Sequence, residues 1–406
     1  MDHVADRTAC LECGTRQRLP NLAGGATLTC ATCRSVLQRA TPRSLVPALA
    51  CSAATLLLLA PANLTVFLRT SILGASRQSV LASSAQAMME DGWPILALVV
   101  LLTLVILPVL RFGLLTLVLA VLQTSVRPRG LGRIFRWTLA LQTWAMQDVF
   151  LLAFVVAYER LRAAITVEVG LGAYCFIAAA ILSLFTRALL NRDEVWQRIG
   201  PDLPPPPSDE PAVTCVACEA LLPAEYDGRR CPRCAARVHA RKPQSVARTA
   251  ALGIAALLLY FPANLYPLAT LPIGLIPTKY TVLQGVIDLG EAHLWGLALL
   301  VFTASFAIPF LKIAGLSWLV ISVLRHSTRR LVLKTRLYGV IEEIGRWSMI
   351  DPFVICCFTP VMHYNALIYG RAEAAAVPFT AVVLLTTLAS KTFDPRRLWD
   401  AAGVRR

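Results

Sequence analysis

Apolar residues fall in eight long stretches, and most charged residues lie in the segments between them. In the first half the stretches run over about 45–68, 93–122, 134–158 and 171–190; in the second they run over about 247–270, 293–324, 338–364 and 372–391. A bilayer core needs roughly 20 apolar residues of helix, and every stretch meets that length. Eight buried helices in a soluble domain would leave almost no surface for water. The pattern therefore predicts a mostly α, polytopic membrane protein with eight transmembrane helices.

The halves also repeat one another. Cys30 and Cys33 recur as Cys231 and Cys234, Pro61-Ala62-Asn63 as Pro262-Ala263-Asn264, and Pro108 and Arg111 as Pro309 and Lys312, each 201 residues on. Trp144, Met146 and Asp148 recur as Trp347, Met349 and Asp351, 203 residues on, and Trp196 recurs as Trp399. Such a constant offset predicts two tandem repeats, each a small cysteine module followed by a four-helix transmembrane domain. The expected boundaries are an N-terminal module at 1–44, a first four-helix domain at 45–190 and a proline-rich linker at 191–211. A second module follows at 212–246, then a second four-helix domain at 247–391 and a tail at 392–406. The run Pro204-Pro205-Pro206-Pro207 makes the linker a stiff polyproline spacer.

Composition agrees with a membrane class. The chain is 56% hydrophobic and 16% charged, where soluble domains carry about 25% charged residues. Its formal charge of +15 is read best by position. Arg127, Arg129, Arg133 and Arg136 fill one loop, and Arg325, Arg329, Arg330, Lys334 and Arg336 fill another, neither with an acid. The segments on the opposite side are neutral or slightly acidic. By the positive-inside rule both termini, the basic loops and both cysteine modules are cytoplasmic, and no cleavable signal peptide is expected. On this topology 31 of the 39 basic residues are cytoplasmic, six are external, and Arg111 and Lys312 lie within the membrane. The positive charge is then a topology signal rather than a nucleic-acid footprint, and no nucleic-acid partner is expected.

Each module carries two CxxC pairs: Cys10, Cys13, Cys30 and Cys33 in the first, Cys215, Cys218, Cys231 and Cys234 in the second. Two such knuckles bring four thiolates around one metal, typically zinc at about 2.3 Å per sulfur. A module of some 30 residues has no adequate core, so the metal would supply its folding energy. With four protein ligands no coordination position stays open, and two structural zinc ribbons are expected. Disulfides fit poorly with a reducing compartment. Iron in a rubredoxin-like site uses similar knuckles and would make the protein a redox or stress-response membrane protein.

Charges inside the spans are costly, about 2.5–3.5 kcal/mol each on insertion scales, and mark function by default. Lys312 lies in the sixth stretch with Pro309 and Ser305 on the same face; proline lacks an amide, so a kink and a freed carbonyl are expected there. Pro108 and Arg111 repeat the arrangement in the first half. Asp148 and Asp351 are the acids at matching depth, as Arg111–Asp148 and Lys312–Asp351 pairs or as the walls of a polar transport cavity. Thr386 and Thr387 would complete the cavity of the second half. No GxxxxGK[ST] is present, so no nucleotide is expected, and energy would come from an ion gradient or a partner. No enzymatic activity is expected.

These residues together resemble the paraquat-inducible protein A family of bacterial inner-membrane proteins. The carriers are the paired CxxC modules, each followed by Pro-Ala-Asn, then Ser305 and Pro309-x-x-Lys312, Trp347-Ser348-Met349-Ile350-Asp351, and Phe393-Asp394-Pro395-Arg396 before Trp399. The first half departs from the pattern, with Trp144-Ala145-Met146-Gln147-Asp148, Arg111 for the lysine and Asn191-Arg192-Asp193 for Phe-Asp-Pro. The resemblance implies an inner-membrane part of a system that moves phospholipid toward a periplasmic MCE-domain tunnel. Lipid would be loaded or unloaded through a polar pocket that includes Ser305, Pro309, Lys312, Trp347, Ser348, Asp351, Thr386 and Thr387, with proton movement as a coupled step. A purely structural anchor for the MCE partner is the other function it allows.

Overall fold

The computed structural model of the chain describes residues 7–18, 26–39, 44–72, 75–126, 128–162, 166–200, 211–273, 276–350, 353–354, 357, 363–365, 368–369 and 371–403. Among these, five helices are long and apolar enough to cross a membrane: Val46–Leu64, Pro94–Gln123, Leu171–Leu189, Ser245–Leu265 and Trp295–Leu324. A sixth apolar helix, Ala376–Thr392, is shorter at 17 residues. At 1.5 Å per residue, 19 residues reach about 28 Å, close to the thickness of a hydrocarbon core. In each half the first and last of these helices pack along their length, and the long middle helix lies against the first.

The third stretch of each half is not the continuous helix expected. In the first half it is two helices, Leu131–Leu141 and Gln147–Arg162, separated by a turn at the Trp144 motif. In the second half helix Leu331–Ile344 gives way to a 3-10 turn over Gly345–Met349, and residues expected at the helix end instead form a strand, His363–Asn365. The break turns backbone groups away from the helical ladder, so polar partners inside an apolar span become available to side chains.

Pro108 and Pro309 each follow a widened helical turn. A π-turn precedes each, Leu102–Ile106 and Thr303–Ala307, so that Leu107 donates to the Leu102 carbonyl and Ile308 to the Thr303 carbonyl. The widened turn absorbs one extra residue where a proline amide is missing.

Small antiparallel sheets, not anticipated from the apolar pattern, close the far end of each half. Leu68–Ile72 pairs with Ala75–Ser79 and Thr166–Val169; Ala269–Ile273 pairs with Ile276–Tyr280 and Arg371–Ala372. The halves meet through one apolar core in which Phe150 packs edge-on against Phe353, ring centroids 5.7 Å apart. Those two phenylalanines are equivalent in the repeat. Equivalent residues in mutual contact are the mark of a pseudo-two-fold axis, the arrangement expected of parallel membrane repeats.

The cysteine modules are exchanged between the halves. The first packs its buried cysteines on Leu319, Tyr338, Phe393 and Trp399 of the second half. The second packs on Leu115, Phe135, Val195 and Trp196 of the first half. Gly132 is required for this fit, because a side chain there would run into the Arg233 carbonyl of the second module.

Candidate functional site

All four knuckles have one backbone plan. The amide after each second cysteine donates to the carbonyl of the first: Gly14 to Cys10, Arg34 to Cys30, Glu219 to Cys215 and Ala235 to Cys231, at 2.8–3.0 Å. That residue is left-handed in every case, with φ +83 at Gly14, +60 at Arg34, +60 at Glu219 and +55 at Ala235. The turn aims both sulfurs of a pair the same way. Sulfur–sulfur separations are 3.5 Å for Cys10–Cys33 and Cys215–Cys234, and 3.6 Å for Cys13–Cys30 and Cys218–Cys231. A zinc tetrahedron with bonds of about 2.3 Å has edges of about 3.8 Å, so each buried set fits one four-coordinate metal. Such an ion would supply a cross-link that a core of this size cannot.

The second candidate centre is Lys312, fully buried in the span Trp295–Leu324. Its ammonium donates to the Gly345 carbonyl at 3.1 Å and to Thr387 Oγ1 at 3.4 Å. Gly345 opens the 3-10 turn, and a Cβ there would lie 3.1 Å from both Lys312 Cε and Nζ. The helix break and the glycine together admit the lysine. Ser305 stands two turns before Lys312 with its buried hydroxyl lacking a hydrogen-bond partner among the described residues. Pro309 is buried between them. Thr386 turns back onto its own helix, donating to the Val383 carbonyl. Asp351 and the side chain of Ser348 lie outside the described residues.

In the first half Pro108 and Arg111 are buried at equivalent positions, with the guanidinium 4.8 Å from the Phe112 ring centroid. Asp148 accepts from Arg187 Nη1 at 3.2 Å, and Arg187 Nη2 lies 3.7 Å from Glu343 of the second half. By charge position alone Arg187 falls among the cytoplasmic bases, in the last turn of its span. Trp347 lines a cavity of about 460 Å³ together with Asp148, Arg187 and Glu343.

Between the ribbons and these groups lies a polar hub at Asp394. Its carboxylate accepts from Arg396 Nε and Nη2, both at 2.9 Å, and from the Lys242 amide at 2.9 Å. Burial alone would raise this carboxyl, but Arg396, with Lys242, outweighs it and holds it below the ordinary carboxylate range. Burial pushes the Lys242 ammonium down, with Asp394 and Glu342 opposing. Burial, helped by Glu342, pushes the Glu12 carboxyl up to about 7. Residue order shows the Phe-Asp-Pro-Arg motif, while its role as a buried ion pair tying the ribbon end to the tail arises only in the fold.

One observation decides the lineage. The sequence model described as Paraquat-inducible protein A matches residues 45–200 and again residues 246–403. The chain belongs to the paraquat-inducible protein A family. The double match coincides with the structural repeat. The proteins named intermembrane transport protein PqiA in Escherichia coli K12 and in Shigella flexneri are each 30% identical over 98% of this chain and 96% of their own length. Lipophilic envelope-spanning tunnel protein A of Escherichia coli K12 is 32% identical over 64% of this chain and 61% of its own length. No solved structure matches the chain. Family membership and the apolar helices make this a membrane protein.

Proposed function

We propose that the chain is an inner-membrane component of an intermembrane phospholipid transport system that serves a periplasmic MCE-domain tunnel. The observation that carries this is the likeness over 98% of the chain to proteins named for intermembrane transport. The geometry supplies the working part. Lys312 holds a charge-bearing group deep within an apolar span against the Gly345 carbonyl and the Thr387 hydroxyl, an arrangement suited to a polar headgroup or to a proton that comes and goes. Eight crossings, with the third in each half built from shorter pieces, put both ribbons and both termini in the cytoplasm. The two four-cysteine sets hold zinc and brace the helices without catalysis, and the protein is not an enzyme.

The test is complementation of a membrane-barrier defect in cells lacking the protein. Lys312→Ala and Thr387→Ala, present at normal levels, should fail to restore the barrier. Full restoration by both would leave a structural anchor for the MCE partner as the function. A visible sulfur-to-metal charge-transfer band in the purified protein would replace zinc by iron and favour the redox reading.

A further inference from the structure

Three cavities adjoin along the seam between the halves, of about 580, 290 and 460 Å³. Arg192 lines all three; Glu342 and Lys391 line the first two, and Arg187 and Glu343 the last two. The first cavity begins at the ribbon residues Glu12 and Glu219. The middle one is walled by Gly345 and Thr387, the two groups that take the hydrogen bonds of Lys312.

The walls are ionic and keep solvent contact. Lys391 pairs with Glu342 at 2.6 Å, their side chains 42% and 33% exposed, while Glu343 is 70% exposed and Arg187 26%. Charged surface of that kind does not face hydrocarbon at acceptable cost, and in a dry cavity each ion would lose several kcal/mol of hydration. Both signs are present in balance, which suits water and small hydrated ions rather than a lipid tail or one kind of anion.

We infer that the seam is a water-filled passage through which water and small hydrated ions, protons included, reach Lys312 from the ribbon-bearing face. The inference rests on the transport reading above and adds the side from which the buried site is supplied and the residues that line its path. Arg187 and Glu343 join the two halves across the passage, and the Lys391–Glu342 pair stands between the ribbons and Gly345.

Cysteine accessibility tests it in the full-length, metal-loaded protein with Cys51, Cys175, Cys356 and Cys357 replaced by alanine. Thr143→Cys, lining the first two cavities, and Ser390→Cys, lining the middle one, are exposed to the impermeant cation trimethylammonium-ethyl methanethiosulfonate in oriented membrane vesicles. Thr124→Cys, exposed beyond the ribbon-side end of Pro94–Gln123, marks the face, and Ala389→Cys, in an apolar cluster, gives the dry baseline. Both seam cysteines should react from the Thr124→Cys face at least about tenfold faster than Ala389→Cys. Reaction at the baseline rate, or from the other face, overturns the passage. If Lys312→Met abolishes transport while neither seam cysteine reacts, the passage falls and the transport reading stands. If both react while Lys312→Met fully restores the membrane barrier, the passage stands and the transport reading gives way to the structural anchor.

Discussion

The ammonium of Lys312 donates to the carbonyl oxygen of Gly345, 3.1 Å away, across a helix break that falls inside an apolar span. A Cβ at residue 345 would approach the end of a flexible side chain at 3.1 Å, so a methyl group can be met by a shift of a few tenths of an ångström. Gly345→Ala should therefore keep most activity, whereas Gly345→Val should displace the ammonium and match Lys312→Ala. Barrier complementation at equal protein levels checks the ranking, and equal activity of the alanine and valine variants would contradict it.

Exchange of the ribbons makes metal loss at one end visible at the other half. Cys234→Ser should lower bound metal from two ions per chain to one and loosen the surroundings of Trp196. Cys33→Ser should do the same to Trp399. Metal analysis with limited proteolysis of each half reads this. Loosening confined to the half that follows each ribbon in sequence would be the opposite result.

Three of the four left-handed knuckle residues carry a side chain. A left-handed conformation costs a non-glycine residue about 1–2 kcal/mol, part of which glycine returns through its greater freedom when unfolded. Ala235→Gly should raise ribbon stability by up to about 1 kcal/mol, and Ala235→Val should lower it. Thermal unfolding followed by metal release measures both.

Asp394 links stability to acid. Its folded pKa lies below the unfolded value near 3.9, so its contribution is present in full above the ordinary carboxylate range and is lost as pH falls through the folded value. Asp394→Asn leaves Arg396 buried without its partner and should cost about 3–5 kcal/mol at neutral pH. It should also flatten the acid limb of the stability curve. Unfolding midpoints between pH 3 and 7 test both, and an unchanged acid limb would mean another group controls it.

Much of this was legible in residue order. The eight stretches, the tandem repeat and both cysteine sets follow from local spacing, because lipid burial and metal ligation each impose a fixed length or interval. Lys312 was legible too, since an ammonium among apolar residues stands out whatever surrounds it. The third stretch misled, because an unbroken apolar run looks the same whether it folds as one helix or as two pieces around a 3-10 turn. Arg187 was missed for a similar reason: its partners Asp148 and Glu343 come from other helices, 39 and 156 positions away.

The ribbon exchange lay furthest from view. Phe135 and Trp196 in one half, and Tyr338 and Trp399 in the other, offer similar aromatic platforms, so either ribbon has a plausible seat on either half. Sequence by itself determined what the parts are: two four-cysteine ribbons able to hold a metal, two sets of spans and a charge where lipid should be. Tertiary structure alone decided which ribbon covers which half, where the helix breaks, and which carbonyl receives Lys312. Those depend on contacts between residues far apart in the chain, and the repeat makes the competing pairings nearly equal in composition.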